Sequence, residues 1–246
     1  MTAWAPRRFW AEARAVPADD GWGIALDARP VRTPARAPLI LPTRALAEAV
    51  AAEWGAQGDL VLPATMPFTR SANTAIDTVR PRFGDVAATV AAYGESDLLC
   101  YRAEAPLKLV QAQAAAWDPL LDWADAEFGA RLATGRGIVH VPQDPRALSR
   151  LAERVTVLSP FALSALHDLV ALTGSLIIGL AALGSERTPE SLWAASRIDE
   201  DWQAAQWGQD EEASANAERR RRDFLSAQSF LRLSRRTDQG NPGTTG

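Results

Sequence analysis

The run LPTRALAEAVAAEWGAQG, residues 41–58, is where the hydrophobic period of this chain changes. Leu46, Val50 and Trp54 recur at i, i+4 and i+8, which puts all three on one helical face. Thr43, after Pro42, is placed to cap the helix, and Gly55 and Gly58 end it. Before this helix the pattern reads as β, and after it almost everything reads as α.

Upstream, FWAEARAV (9–16) alternates loosely, PADDG supplies a turn, and WGIALD (22–27) forms a second strand. ARP leads into VRT, and a proline-rich loop then reaches LIL at 39–41. The expectation is a small antiparallel meander with Trp10 and Trp22 in a mini-core. Downstream, the spacing predicts a helix over 67–79 with Phe68, Ala72, Ala75 and Val79 inward. Another covers 82–93, with Phe83, Val86, Val90 and Tyr93 on its face. DLLCYR (97–102) reads as a buried strand, and 107–128 as a long helix with a kink or a fresh cap at Asp118-Pro119. GRGIVHV (135–141) is a short extended excursion. Helices follow over 145–157, 160–183, 189–208 and 210–235, with Ser159-Pro160 and Thr188-Pro189 as start signals. The fold class is therefore α+β. A β-rich N-terminal domain with one helix spans 1–65, a mainly α-helical domain spans 66–236, and the tail 237–246 is expected to be disordered.

Composition removes whole classes of chemistry. The chain has 246 residues, 47% of them hydrophobic, and a net charge of −4, which does not favour a nucleic-acid partner. The RRRR cluster at 219–222 is the one basic run. Glu218 and Arg222 have the favourable i,i+4 order there, so the run reads as a solvated helix face. Cys100 is the single cysteine and sits in an apolar run, so it reads as a buried structural thiol. Two histidines and one cysteine leave no metal site expected. Lys108 is the only lysine and follows Leu107, so no phosphate-binding P-loop and no pyridoxal lysine pocket is expected. No cofactor is anticipated. The apolar run 161–184 is interrupted by His167 and Asp168, which suits a buried helix or helix pair and not membrane insertion.

Few residues look catalytic, and none is assigned such a role. Ser164, His167 and Asp168 lie too close in sequence to build a hydrolytic triad, and no GxSxG turn exists. His167 is expected to be a core or interhelical histidine. Gly174, Gly179 and Gly184 lack the spacing of a dinucleotide fingerprint and suggest close helix packing. Arg70, Asn73, Thr74 and Asp77 share one helical flank at i, i+3, i+4 and i+7. That strip is either an interdomain hydrogen-bonding seam or a small-molecule site of an enzyme or sensor.

The most charged stretch is RIDEDWQAAQWGQDEEA, 197–213, with six acids and two tryptophans. On a helical wheel Ile198, Trp202 and Ala205 form one stripe, while Trp207 lies about 180° from Ile198. Asp199, Glu200, Asp201 and Asp210 are spread around the axis and do not converge as a general acid/base pair would. Trp202 is expected to anchor the helix. Exposed tryptophan rimmed by charge suits a protein-binding hot spot, and spacing alone leaves open a two-sided core with solvated acids.

Several segments together resemble the assembly-chaperone family that handles the α subunit of the F-type ATP synthase. They are RRFW, GIALDARPVRTP, LPTRALAEAVAAEWGAQG, PATMPFTRSANTAIDTV, DLLCYRAE, AAWDPLLDWA, LTGSL and RIDEDWQAAQWG. The resemblance spans about 8–232. It implies a non-enzymatic chaperone that binds the free α subunit and shields its interface until the β subunit assembles. It also implies partner-binding residues among Asp199, Glu200, Asp201, Trp207 and Asp210. The family's sensitive acid matches Asp199, with Glu200 the alternative. The family's EWD motif appears as Glu53-Trp54-Gly55, without its aspartate, and the sensitive tryptophan matches Trp54. Because Trp54 shares a face with Leu46 and Val50, a folding role is expected for it. Mitochondrial members carry a presequence, whereas the start of this chain has neither that nor a secretory signal. A bacterial, cytoplasmic member is expected.

Overall fold

The computed structural model describes residues 7–208 and 210–235, so the tail expected at 237–246 lies outside the described residues. Strands β1 (Ala13–Ala18) and β2 (Gly21–Leu26) pair antiparallel, from Ala13 opposite Leu26 to Ala18 opposite Gly21. β3 (Arg29–Pro30) extends the meander beside β2. The segment 39–41 adds no strand to the meander. It makes one antiparallel bridge, Leu41 with Trp22, through two backbone hydrogen bonds of 2.8 and 2.9 Å. Pro38 and Pro42 flank it and cannot donate, which limits the ladder. The bridge brings the Leu41 carbonyl onto Gly21, where a Cβ would collide with it.

The mini-core is also arranged differently. Trp22 is half-buried under Arg44, and Trp10 is buried edge-on against Trp54, with ring centroids 5.3 Å apart. Trp54 belongs to α1 (Arg44–Gly55), which Thr43 caps by accepting from Leu46 N. The Thr43 hydroxyl also donates to the Leu233 carbonyl near the chain's far end. Among the described residues, the buried apolar side chains form one contiguous core from Trp10 to Leu231.

α2 (Pro67–Thr74) runs through a π turn (Ala75–Val79) and a 3-10 turn (Arg80–Arg82) into α3 (Phe83–Ala91). Over 97–102 the expected strand is mostly a 3-10 turn (Leu98–Cys100), because Asp97 caps it by accepting from Leu99 N at 3.0 Å. Only β4 (Tyr101–Arg102) is extended, parallel to β5 (Gly135–Arg136). Between them α4 (Leu107–Phe128) carries Pro119 within one helix.

α5 (Pro145–Thr156) precedes the apolar run, which divides into α6 (Pro160–Thr173) and α7 (Leu176–Gly184). Gly174, at φ 70°, ends α6 in the left-handed region that favours glycine. Ser159 and Thr188 cap α6 and α8 (Pro189–Ala195) as their sequence suggests. No helix among the described residues is long and apolar enough to cross a membrane.

The three evenly spaced glycines have different reasons. Gly184 has open space around it, whereas a Cβ on Gly179 would lie 2.6 Å from Val170 Cγ2 and 2.8 Å from Leu166 Cδ1. Gly179 thus lets α7 approach α6. Gly179→Ala is expected to lower stability by about 1 to 3 kcal/mol, the usual range for overpacking. Urea unfolding reads this directly, and an unchanged midpoint would show that the two helices part without cost.

Candidate functional site

The predicted helix over 189–208 breaks at Ser196, whose hydroxyl donates to the Trp193 carbonyl at 2.7 Å. α9 (Ile198–Trp207) starts afresh after Arg197 and stops at Gly208, at φ 91°. Its first turn holds Asp199, Glu200 and Asp201, where the N-terminal end of the helix dipole favours negative charge. Arg197 turns back onto Glu200 at 2.9 Å and Asp201 at 3.9 Å. Asp210 does not belong to α9. It caps α10 (Glu211–Ser234), with its carboxylate accepting from Glu212 N at 3.1 Å.

α9 contributes no fully buried residue. This corrects the expected stripe, since Trp202 is only half-buried and Ala205 is exposed. Ile198 and Trp202 still face the body but are only half-buried, as is Ala204. Trp207 is 84% exposed. It borders a groove of about 660 Å³ between α9 and α10, with Trp193, Arg197, Gln203, Asp210 and Arg220 among its walls. Glu200 and Asp201 are exposed on the same groove. Asp199 instead turns inward, accepting from Gln113 Nε2 of α4 at 2.6 Å. α4 also meets the chain just before α9, where Trp117 Nε1 donates to the Ala195 carbonyl at 2.7 Å.

The other flagged residues are placed elsewhere. Asp77 accepts from Thr33 Oγ1 at 2.7 Å and Ala35 N at 3.0 Å, pinning the loop after β3 to the π turn. Asn73 is half-buried, and only Arg70 and Thr74 of the strip are exposed. Asp77 is therefore spent on an internal seam. His167 differs from the expected core histidine. Its helical position turns it outward, beside Asp168 at 3.3 Å, which holds its pKa above the ordinary value. Ser164 is buried and donates to the Ser71 carbonyl, so no triad forms. Glu218 pairs with Arg221 at 3.6 Å in place of Arg222, and Arg220 donates to the Leu172 carbonyl. The Cys100 thiol is buried, and burial reinforced by the Asp97 charge pushes its pKa up to about 12, which keeps it unreactive.

Three polar groups hold the architecture through partners remote in sequence. Glu53 accepts from Phe68 N, Thr69 N and Thr69 Oγ1 at 2.7, 2.8 and 2.7 Å. Asp97 is fully buried and joins its own turn to the start of α7 through Ile177 N at 3.0 Å. Gln113 is the third. Asp97 alone leaves a local signal, a capping residue before an apolar run, whereas the partners of Glu53 and Gln113 are remote in sequence.

Trp54 is half-buried on Trp10, and its indole N–H has no partner. Gly55 has open space where a side chain would sit, so nothing in the packing requires the motif's missing aspartate.

Comparison with known proteins sets this arrangement in a family. Residues 7–125 match the family model described as ATP12 chaperone protein. Two solved structures of Atp12 from Paracoccus denitrificans, one of them an aspartate-to-lysine variant, share 50% identity with the chain. Each superposes with a TM-score of 0.90 over 93% of this chain and 98% of that one. The Atu1473 protein from Agrobacterium tumefaciens is similar at 41% identity and a TM-score of 0.88, over 93% of this chain and 86% of that one. At 50% identity over 93% of its length and a TM-score of 0.90, the chain belongs to the ATP12 chaperone family.

Proposed function

We propose that the protein is a cytoplasmic chaperone that binds the free α subunit of the F-type ATP synthase. It covers the surface the β subunit later occupies. An unassembled obligate interface exposes a large apolar area, and covering it prevents aggregation. Release by competition with the true partner needs only a difference in affinity. The docking surface is α9 and its groove, with Glu200, Asp201, Trp207 and Asp210 facing outward and Asp199 at the inner edge.

The observation that carries this reading is Trp207, a large apolar ring 84% exposed beside unburied acids on a helix with no buried residue. Such a ring is an anchor waiting for a pocket. Co-purification with the α subunit tests it. Trp207→Ala and Glu200→Lys change exposed side chains and are expected to fold normally while weakening capture by roughly tenfold or more. Asp199→Lys is expected to do the same. If all three fold and still capture the subunit like the wild type, α9 is not the docking element.

A further inference from the structure

We infer that Gln113 is a positioning residue that sets the pose of α9, and that Asp199 serves client binding through this amide and not by touching the client. This rests on the reading of α9 as the docking helix.

Three observations lead here. First, α9 has no buried residue, so no apolar side chain fully fixes its rotation or its angle to the body. Second, Gln113 is 1% exposed and spends both ends of its amide. Oε1 accepts from Ala103 N at 2.8 Å, and Nε2 donates to Asp199 Oδ1 at 2.6 Å. Third, the far end of this bridge is itself held. Ala103 follows β4, whose Arg102 carbonyl accepts from Gly137 N at 2.9 Å. The Arg102 guanidinium meets Asp118 of α4 at 2.8 Å.

These constraints fix which way the amide points. Ala103 N is a donor, so the oxygen of Gln113 must face it, and the NH₂ must face α9. A carboxylate at 199 then completes the bridge with a charge-assisted bond in a half-buried setting, stronger than a neutral one. Glu200 and Asp201 serve the helix dipole as well as Asp199 does, yet both remain exposed. The dipole therefore does not explain why Asp199 turns inward. Through the bridge, the pose of Trp207 is tied to the strand pair β4–β5. Without it α9 samples other poses, and apparent affinity for a client falls with the fraction of molecules that remain competent.

Two variants of the full chain test this. Gln113→Glu keeps an acceptor for Ala103 N but sets a carboxylate against Asp199. Gln113→Glu combined with Asp199→Asn restores both hydrogen bonds with the charge on the other side. Amide hydrogen exchange of α9 and capture of the ATP synthase α subunit are read for each. The single variant is expected to speed α9 exchange and weaken capture by roughly 10- to 100-fold, while α6 and α7 keep their protection. The double variant is expected to recover both to within about threefold of wild type. Unchanged α9 protection in the single variant overturns the positioning role. Recovered protection without recovered capture overturns it for Asp199, whose charge would then touch the client. If the wild type captures no α subunit, the proposed function fails, and the exchange data alone still decide whether Gln113 holds α9.

Discussion

Asp97→Ala is expected to lower the stability of this protein by about 2 to 4 kcal/mol at pH 7, because it strands buried donors. Asp97 is fully buried between two elements. One carboxylate oxygen accepts from Leu99 N, and the other from Ile177 N, 80 residues on. Ser175 caps α7 by accepting from Ile178 N at 3.0 Å, so Asp97 and Ser175 together satisfy successive donors of the first turn. Leu98 N also donates to the Gly174 carbonyl, at 3.0 Å, which closes the seam. Removing the carboxylate opens the joint on which β4 and the α6–α7 pair depend.

The same group makes stability depend on pH. Burial raises the Asp97 pKa from 3.8 to about 6, against the hydrogen bonds from Ile177 and Leu99 that lower it. The folded state therefore binds this proton more tightly than the unfolded chain does. The contribution is fully present below pH about 4 and is lost as pH rises through about 6. Its full span is about 3 kcal/mol, from the unit-by-unit conversion of a pKa shift. Urea midpoints of wild type and Asp97→Asn, taken from pH 4 to 7.5, isolate it. The wild type should lose stability relative to the variant as pH rises, and a difference that stays flat would mean that Asp97 does not titrate in this range.

The second large effect concerns Glu53. Glu53→Ala is expected to cost about 2 to 3 kcal/mol, for the loss of three hydrogen bonds to one carboxylate. α2 begins with Pro67, which has no N–H, and Met66 before it supplies no side-chain cap. The first free donors, Phe68 N and Thr69 N, are taken by Glu53 from α1, which thus caps a helix it does not belong to. Burial raises the Glu53 pKa, so its pH dependence has the same sign as that of Asp97. Trp54→Phe is the contrast. The Trp54 indole N–H is buried without a partner, so losing it removes a cost, and the smaller ring still reaches Trp10. That change is expected to cost under about 1 kcal/mol. If chemical denaturation ranks Trp54→Phe above Glu53→Ala, the acid is not the stabilising member of the Glu53-Trp54-Gly55 motif.

Features set by near neighbours along the chain are legible in its sequence. Thr43, Ser159 and Thr188 cap the helices they precede, because a cap needs only a side-chain oxygen and a donor two or three residues on. The period change after Leu41 separates strand from helix because side-chain direction repeats every two residues in one and every 3.6 in the other. The DLLCYR segment misleads because an apolar run suits a strand and a buried 3-10 turn equally well. The wheel of α9 places Ile198 and Trp202 on the side that meets the body but misjudges the depth, because how far a face is covered depends on the elements packed against it.

The sequence by itself determined the α+β class, most helix starts, the inert thiol and, through its segment resemblances, the chaperone family. These depend on neighbours within a turn or two, or on motif identity. Only the tertiary structure decided that Asp97, Glu53 and Gln113 are its joints, that Asp199 turns inward and that Trp207 faces outward. Each of those is a contact between residues 15 to 86 positions apart, or the lack of one. Such pairings leave no periodic trace along the chain, because they arise only when elements already formed are packed against one another.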